Sequence, residues 1–340
     1  MDDPAACPTR PAASFSALLT GFAALYLLWG STYLGIKFAV ETLPPFLMAG
    51  GRFVLAGGVL YALLRVRGVA APTARQWRAS VVPAALLLLG GNGLVTWGQQ
   101  TVATGRAALI VATTPLWMVV LGWLFYRGDR PAGRVWLGLA VGFVGAALLI
   151  RPGTATAESS AGGLLALALA PVAWSLGSLE TRRARPVEST LMTSAMQMLL
   201  GGILMLLVGA GLGELPALLS GPVATRSVVA FVYLAVFGGL VGFSTYAWLL
   251  HVASPTAVST YAYVNPLVAV LLGWAVLGER IDNTVLLAAG LILGAVVLIT
   301  LPRLRKRAEE TETLDEAAAD EAVEYRPAAG RMPAGCHPGR

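Results

Sequence analysis

The sequence predicts an all-α polytopic membrane protein of ten transmembrane helices, arranged as two inverted five-helix repeats. Three observations predict it. Of 340 residues, 56% are hydrophobic and only 12% are charged, with a mean hydropathy of +0.72. Soluble domains carry about 25% charge, and a soluble fold has nowhere to hide this much apolar surface. The apolar residues also gather into ten segments of helix-spanning length, at 16–39, 44–64, 80–100, 105–126, 134–151, 162–180, 189–212, 226–250, 256–278 and 284–301. A transmembrane barrel needs short alternating segments of about ten residues instead. Finally, NPLVAVLLGWAVLGER at 265–280 repeats the plan of TPLWMVVLGWLFYR at 114–127, so Pro115, Gly122 and Trp123 return as Pro266, Gly273 and Trp274.

Taken in order, residues 1–15 form a polar tail without the clustered positive charge of a signal peptide. An uncleaved first helix is therefore expected, running through Trp29, Gly30 and Ser31. The first repeat covers 16–151 and the second 162–301, joined by a periplasmic loop at 152–161. Glycine and proline inside the segments do not argue against helix, because both are commoner in membrane helices. Residues 302–340 read as a cytoplasmic tail. Its basic cluster at 303–307 is a stop at the anionic inner leaflet, and the acidic, alanine-rich stretch after it reads as disordered or marginally helical.

Loop arginines set the orientation. With both termini in the cytoplasm, Arg65, Arg67, Arg75, Arg78, Arg127, Arg130, Arg134, Arg182, Arg183 and Arg185 all lie inside. Lys37, Arg106, Arg151, Arg226 and Arg280 then lie on the outer side. An inner membrane location is expected.

The repeat extends beyond the first pair. Trp29 and Gly57 match Trp174 and Gly202 at an offset of 145, and Gly91 and Trp97 match Gly242 and Trp248 at 151. Gly138 and Gly142 match Gly290 and Gly294 at 152. Five helices is an odd number, so the second half enters the membrane in the opposite sense. Two such halves can expose one midplane site to either side in turn.

Trp29-Gly30-Ser31, Arg52-Phe53 and the Pro-x6-Gly-Trp run closed by Gly278-Glu279-Arg280 resemble the EamA-type members of the drug/metabolite transporter superfamily. The resemblance covers about 16–301. It implies a ten-helix inverted-repeat fold and movement of small metabolites, often export of amino acids or related compounds. The second half departs from the first: Trp174-Ser175 lacks the glycine, and Gln197 stands where Arg52 stands.

Polar groups in lipid are costly, so they mark a cavity or a helix contact. Asn92, Thr96 and Gln99 fall at i, i+4 and i+7, one helical face, and read as a pore-lining stripe or as helix–helix hydrogen bonds; Trp97 and Gln100 lie beside it. Arg52 is a candidate for a substrate carboxylate, with snorkelling outward or pairing with Glu41 as the alternatives. Lys37 reads as interfacial. Gln197 bonds a substrate or a neighbouring helix. Trp29, Trp97, Trp174 and Trp248 belong to an interfacial belt or line the cavity, and Tyr246, Tyr261 and Tyr263 are cavity or core candidates. Pro115 and Pro266, the latter beside Asn265, are hinge candidates or packing kinks. The paired glycines at 138/142 and 290/294 predict close helix contacts.

Other classes lack their residues. The histidines are His251 and His337 and the cysteines Cys7 and Cys336, so neither a metal site nor a cysteine framework is expected, and no cofactor. No nucleophile–base constellation argues for an embedded enzyme. The net charge of +6 sits in loops and a tail and does not indicate nucleic-acid binding. No acidic residue stands clearly inside a span, since Glu180 and Glu279 lie at span ends; Glu279 and Arg280 read as an interfacial stop. Coupling is left open, with an uncoupled facilitator or channel-like permease as the alternative to a secondary exporter. The expected partners are a small-molecule substrate and the lipid bilayer, and a monomer is expected, with a homodimer as the alternative.

Overall fold

A computed structural model describes residues 14–126, 130–150, 159–184, 189–252, 258 and 261–298. The expectations for the two terminal tails and for most of the 152–161 loop lie outside the described residues. Among the described residues every regular element is helical. In chain order these are α1 (Phe15–Ala39), α2 (Pro45–Val66), α3 (Ala74–Gly98), α4 (Thr104–Phe125), α5 (Gly133–Ile150), α6 (Ala161–Ala184), α7 (Thr190–Gly211), a short helix (Glu214–Ser220), α8 (Thr225–Tyr246, continuing to Val252), α9 (Tyr261–Leu277) and α10 (Asn283–Leu298). Seven of them (α1–α4 and α6–α8) are long and apolar enough to cross a membrane, while α5, α9 and α10 contain shorter apolar helices.

Local chemistry sets the helix starts. Ser14 and Ser189 accept the N–H groups of Ala17 and Met192, and Pro45 opens α2 where no intrahelical donor is needed. Thr73 and Gln76 form a reciprocal capping box. That box explains why α3 begins at Ala74, six residues before its apolar run. Its first turns are polar and carry Arg75 and Arg78, so apolar patterning alone misses them.

Two helices depart from α geometry at repeat-related places. α3 widens to π geometry over Ala85–Gly93, and α8 does so over Leu234–Val241. α4 is interrupted after Val111 and resumes at Thr114, with Pro115 at its second start. The carbonyls of Ile110 and Val111 there accept hydroxyls from Thr113 and Thr114 at 2.7 and 2.6 Å. At the corresponding place Pro266 sits inside α9.

The helices meet through small residues. A Cβ on Gly202 of α7 would lie 2.8 Å from the Val54 nitrogen and 2.9 Å from the Gly50 carbonyl of α2. One turn on, Gly57 faces Met198 and the Ala195 carbonyl. α5 approaches α4 and α10 through Gly142, which faces Leu116 and Ala295, and through Gly145, which faces Ile292. Among the described residues, Gly290 and Gly294 have nothing within 4 Å of a built Cβ. The predicted GxxxG contact of the last helix is therefore not made, because α10 turns its Ile292 and Leu291 side, not its glycines, toward Gly145.

Outward-facing side chains are apolar as well. Leu19, Leu27, Leu55, Leu63, Leu137, Leu207, Leu271 and Leu286 are all exposed. A soluble protein rarely leaves so much apolar surface in water, whereas a bilayer covers it.

Candidate substrate site

Four aromatic rings from three helices converge. Trp29 of α1 lies 5.4 Å from Phe243 and 5.4 Å from Tyr246 of α8, and 5.0 Å edge-on from Tyr261 of α9. Its indole nitrogen donates to the Gly238 carbonyl at 3.2 Å, inside the wide stretch of α8. Asn265, one turn beyond Tyr261, packs its backbone carbonyl beside Gly30, next to Trp29. The Asn265 side chain is buried, and its Oδ1 accepts no hydrogen bond among the described residues. A buried amide oxygen left unpaired is costly, and such a group is an acceptor in waiting.

Beside this lies the charged part. Arg52 is 4% exposed, so it does not snorkel. It does not pair with Glu41 either, because that carboxylate meets Arg226 at 3.7 Å. Instead the Arg52 guanidinium donates to Asn92 Oδ1 at 3.1 Å and lies over the Phe53 ring, leaving its Nε without a partner among the described residues. The apolar cluster around Phe46, Phe53, Leu87 and Leu88 joins this pair to Trp174 and Phe243. The site thus combines an aromatic wall, a buried cation and unpaired polar atoms.

The predicted stripe on α3 makes hydrogen bonds to two neighbouring helices. Asn92 meets α2 through Arg52, whereas Gln99 meets α1, donating to the Tyr33 carbonyl at 3.0 Å. Gln99 is the residue that caps the end of α3, and there α1 is the neighbour within reach. Thr96 and Gln99 are nevertheless buried, and Thr96 Oγ1 and Gln99 Oε1 have no partner among the described residues.

The tryptophans divide into two kinds. Trp29 lies against Gly242, and Trp174 lies against Gly91; a Cβ on either glycine would clash with the ring at 2.4 or 2.7 Å. These are the same two glycines and tryptophans that match between the halves. Trp97 and Trp248 are each 38% exposed and cover Gly162 and Gly21 on the outside of the bundle. Trp97 therefore lies away from the buried cluster.

Gln197 is 7% exposed and donates to Thr181 Oγ1 on α6 at 2.8 Å, the neighbouring-helix alternative. Thr181 keeps its own bond to the Gly177 carbonyl. Gln197→Ala is therefore expected to lower stability by only ~1 kcal/mol and to leave substrate KM unchanged. Thermal unfolding in detergent, read beside a transport assay, checks both. The side chains of Tyr263 and His251 lie outside the described residues. Phe243 and Tyr33 belong to the same region but carry no repeat match or lone charge to mark them in the sequence.

One end of the bundle is tied by charges placed on helix termini. Lys37, at the end of α1, donates to the Gln99 and Gln100 carbonyls that end α3, at 3.0 and 3.4 Å. Arg106 donates to the Leu149 carbonyl near the end of α5, at 2.6 Å through Nε. Arg226 lies 3.6 Å over the Phe38 ring, and Ser227 donates to the Phe38 carbonyl. Two carboxylates cap helix starts there. Glu279 accepts from the N–H groups of Thr104 and Gly105 at 2.6 and 3.0 Å, and Glu214 from those of Phe46 and Leu47 at 3.2 and 2.8 Å. Lys37 and Glu279 are thus bonded across helices at this end, where a plain interfacial stop was expected. At the opposite end Tyr126 donates to Glu180 at 2.6 Å.

The family model described as the EamA-like transporter family matches residues 15–151 and 161–301. The chain is 38% identical over 284 residues to the uncharacterized inner membrane transporter YedA of Escherichia coli K12, covering 82% of this chain and 89% of that one. It is 28% identical to the uncharacterized transporter YvbV of Bacillus subtilis, over 88% and 95% of the two chains. It is 27% identical to the protein PagO of Salmonella typhimurium, over 82% and 91%. A solved crystal structure at 24% identity superposes with a TM-score of 0.57 over 86% of this chain and 99% of that one, a likeness of fold.

Proposed function

We infer the function from one premise: this chain belongs to the EamA-like transporter family, and it is a membrane transporter. The finer reading is our proposal. It is a secondary transporter of the inner membrane that exports a small metabolite, an amino acid or a related carboxylate, by alternating access. α1–α10 form ten spans in two inverted halves, with both termini cytoplasmic and the end tied by Lys37, Glu214 and Glu279 facing out. The Trp29–Gly242 and Trp174–Gly91 contacts support the inverted halves, since each residue of one contact has its repeat counterpart in the other. The π stretches of α3 and α8 support them too.

Arg52 is the observation that carries the substrate class. A guanidinium this far out of water, facing one neutral amide, is an expensive thing to keep. A ligand carboxylate would satisfy its free Nε, and Asn265 and the rings of Trp29 and Tyr246 would hold the remainder. Pro115 and Pro266 are the proposed bending points, and at Pro115 the threonine hydroxyls supply replacement donors during bending.

Purified protein in liposomes tests this reading. A panel of amino acids is expected to exchange faster than in empty vesicles, and the decarboxylated amines are expected not to. Ion conductance without solute exchange would favour the channel-like alternative. Labelling of cysteines placed at 66–76 from outside the cell would reverse the orientation.

A further inference from the structure

We propose that Glu214 and Glu279 are paired latches that hold this end of the transporter shut, each by capping the repeat-related helix of the other half. The inference rests on the alternating-access reading. The two sites are built alike although they lie on different helix pairs. α7 is followed by Leu212 and Gly213, and α9 by Gly278, the two glycines lying in the left-handed region at φ +79° and +67°. Only glycine enters that region without strain, and it turns the chain sharply back. A glutamate follows at once in both cases, within the recurring tripeptide Leu-Gly-Glu at 212–214 and 277–279. Each carboxylate then folds against a glycine of its own helix. A Cβ on Gly209 would lie 2.8 Å from Glu214 Oε2, and one on Gly273 would lie 2.4 Å from Glu279 Oε2.

From that seat each carboxylate takes two backbone donors, one per oxygen. Glu214 takes those of Phe46 and Leu47 at the start of α2, and Glu279 takes those of Thr104 and Gly105 at the start of α4. By the repeat, α2 pairs with α7 and α4 with α9. Both latches therefore join a helix of the second half to its counterpart in the first. The negative charge also meets the positive end of the helix dipole, which strengthens the bond. A change that separates the halves at this end must break both caps, while bending elsewhere leaves them intact. The opposite end carries no Leu-Gly-Glu at the positions given by the repeat, where Val69 and Gly128 stand in place of Glu214 and Glu279. The latches therefore bias the resting protein toward closure at this end.

A reporter beside one latch tests this without any substrate. Val270 faces Gly105 directly, so Val270→Cys, with Cys7 and Cys336 replaced by serine, reports opening through its rate of labelling by a polar maleimide in detergent-purified protein. Glu279→Ala is expected to raise that rate about tenfold, which corresponds to ~1.4 kcal/mol. Gly273→Ala displaces the carboxylate without removing it and is expected to give a similar rise, whereas adding it to Glu279→Ala gives no further rise. Melting temperature and elution profile identify the folded variants for comparison. Labelling within twofold of the parent in both folded single variants would overturn the latch. So would a fully additive double variant. If labelling follows the expected pattern while no solute moves in liposomes, the latch stands and the transport reading falls. If solute moves and labelling stays flat, only the latch falls.

Discussion

Arg52→Ala is expected to lower uptake of a carboxylate substrate into liposomes roughly 10- to 100-fold, while the protein folds as well as the parent. The magnitude follows from losing hydrogen bonds to a charged group, ~1.5–3 kcal/mol, at a factor of ten for each ~1.4 kcal/mol. Folding is spared because the desolvation cost of the buried guanidinium is lifted with it, and its hydrogen-bond partner Asn92 is only half-buried. Arg52→Lys keeps the charge but not the planar fork that reaches both Asn92 and a ligand, so part of the loss remains. The control is a substrate analogue without a carboxylate. Its slow transport should be the same in parent and variant. An equal loss for both compounds would mean that Arg52 only supports the packing of α2 against α3.

Gly202→Ala is expected to be among the most damaging small substitutions in the bundle. The added methyl meets a backbone nitrogen of α2 at 2.8 Å and a backbone oxygen at 2.9 Å, and neither can rotate aside. α2 and α7 must separate, and in lipid no hydrophobic gain replaces the lost packing. Overpacking of this kind costs ~1–3 kcal/mol, and Gly202→Leu is expected to leave no monodisperse protein. Gly290→Ala is the matched control. Nothing lies within 4 Å of its Cβ position, so the change is expected to be neutral or to stabilise by ~0.4–1 kcal/mol through helix entropy. Melting temperatures of the two variants in one detergent check the contrast.

The sequence made the helices legible because each span needs a continuous apolar stretch, and membrane insertion leaves no other way to satisfy the backbone. It also made the Trp29/Trp174 and Gly91/Gly242 matches legible, and the structure packs those residues on one another. What it hid depends on helix phase and crossing. Asn92 and Gln99 meet different helices, and apolar periodicity does not mark which neighbour crosses at which turn. Lys37, Arg106 and Glu279 looked like interfacial charges because their partners are backbone groups, which have no signature in sequence. Glu214 went unread although the tripeptide it shares with Glu279 recurs. The glycine and tryptophan matches do not reach it, and the short exposed helix after α7 carries no apolar run of spanning length.

Arg52 on α2 and Gln197 on α7 occupy matching places but differ in charge, and Gln197 is spent on Thr181. A carrier with such unequal halves grips its solute differently from each side. Detailed balance still binds it. Without an energy source, the ratio of maximal rate to half-saturation must be equal for inward and outward flux, however lopsided the two constants are. The asymmetry of the site therefore sets the concentration at which each face saturates, and the solute gradient alone sets which way net flow runs. Zero-trans measurements from the two faces of oriented vesicles would show unequal half-saturation with equal ratios. Unequal ratios would reveal a coupled ion.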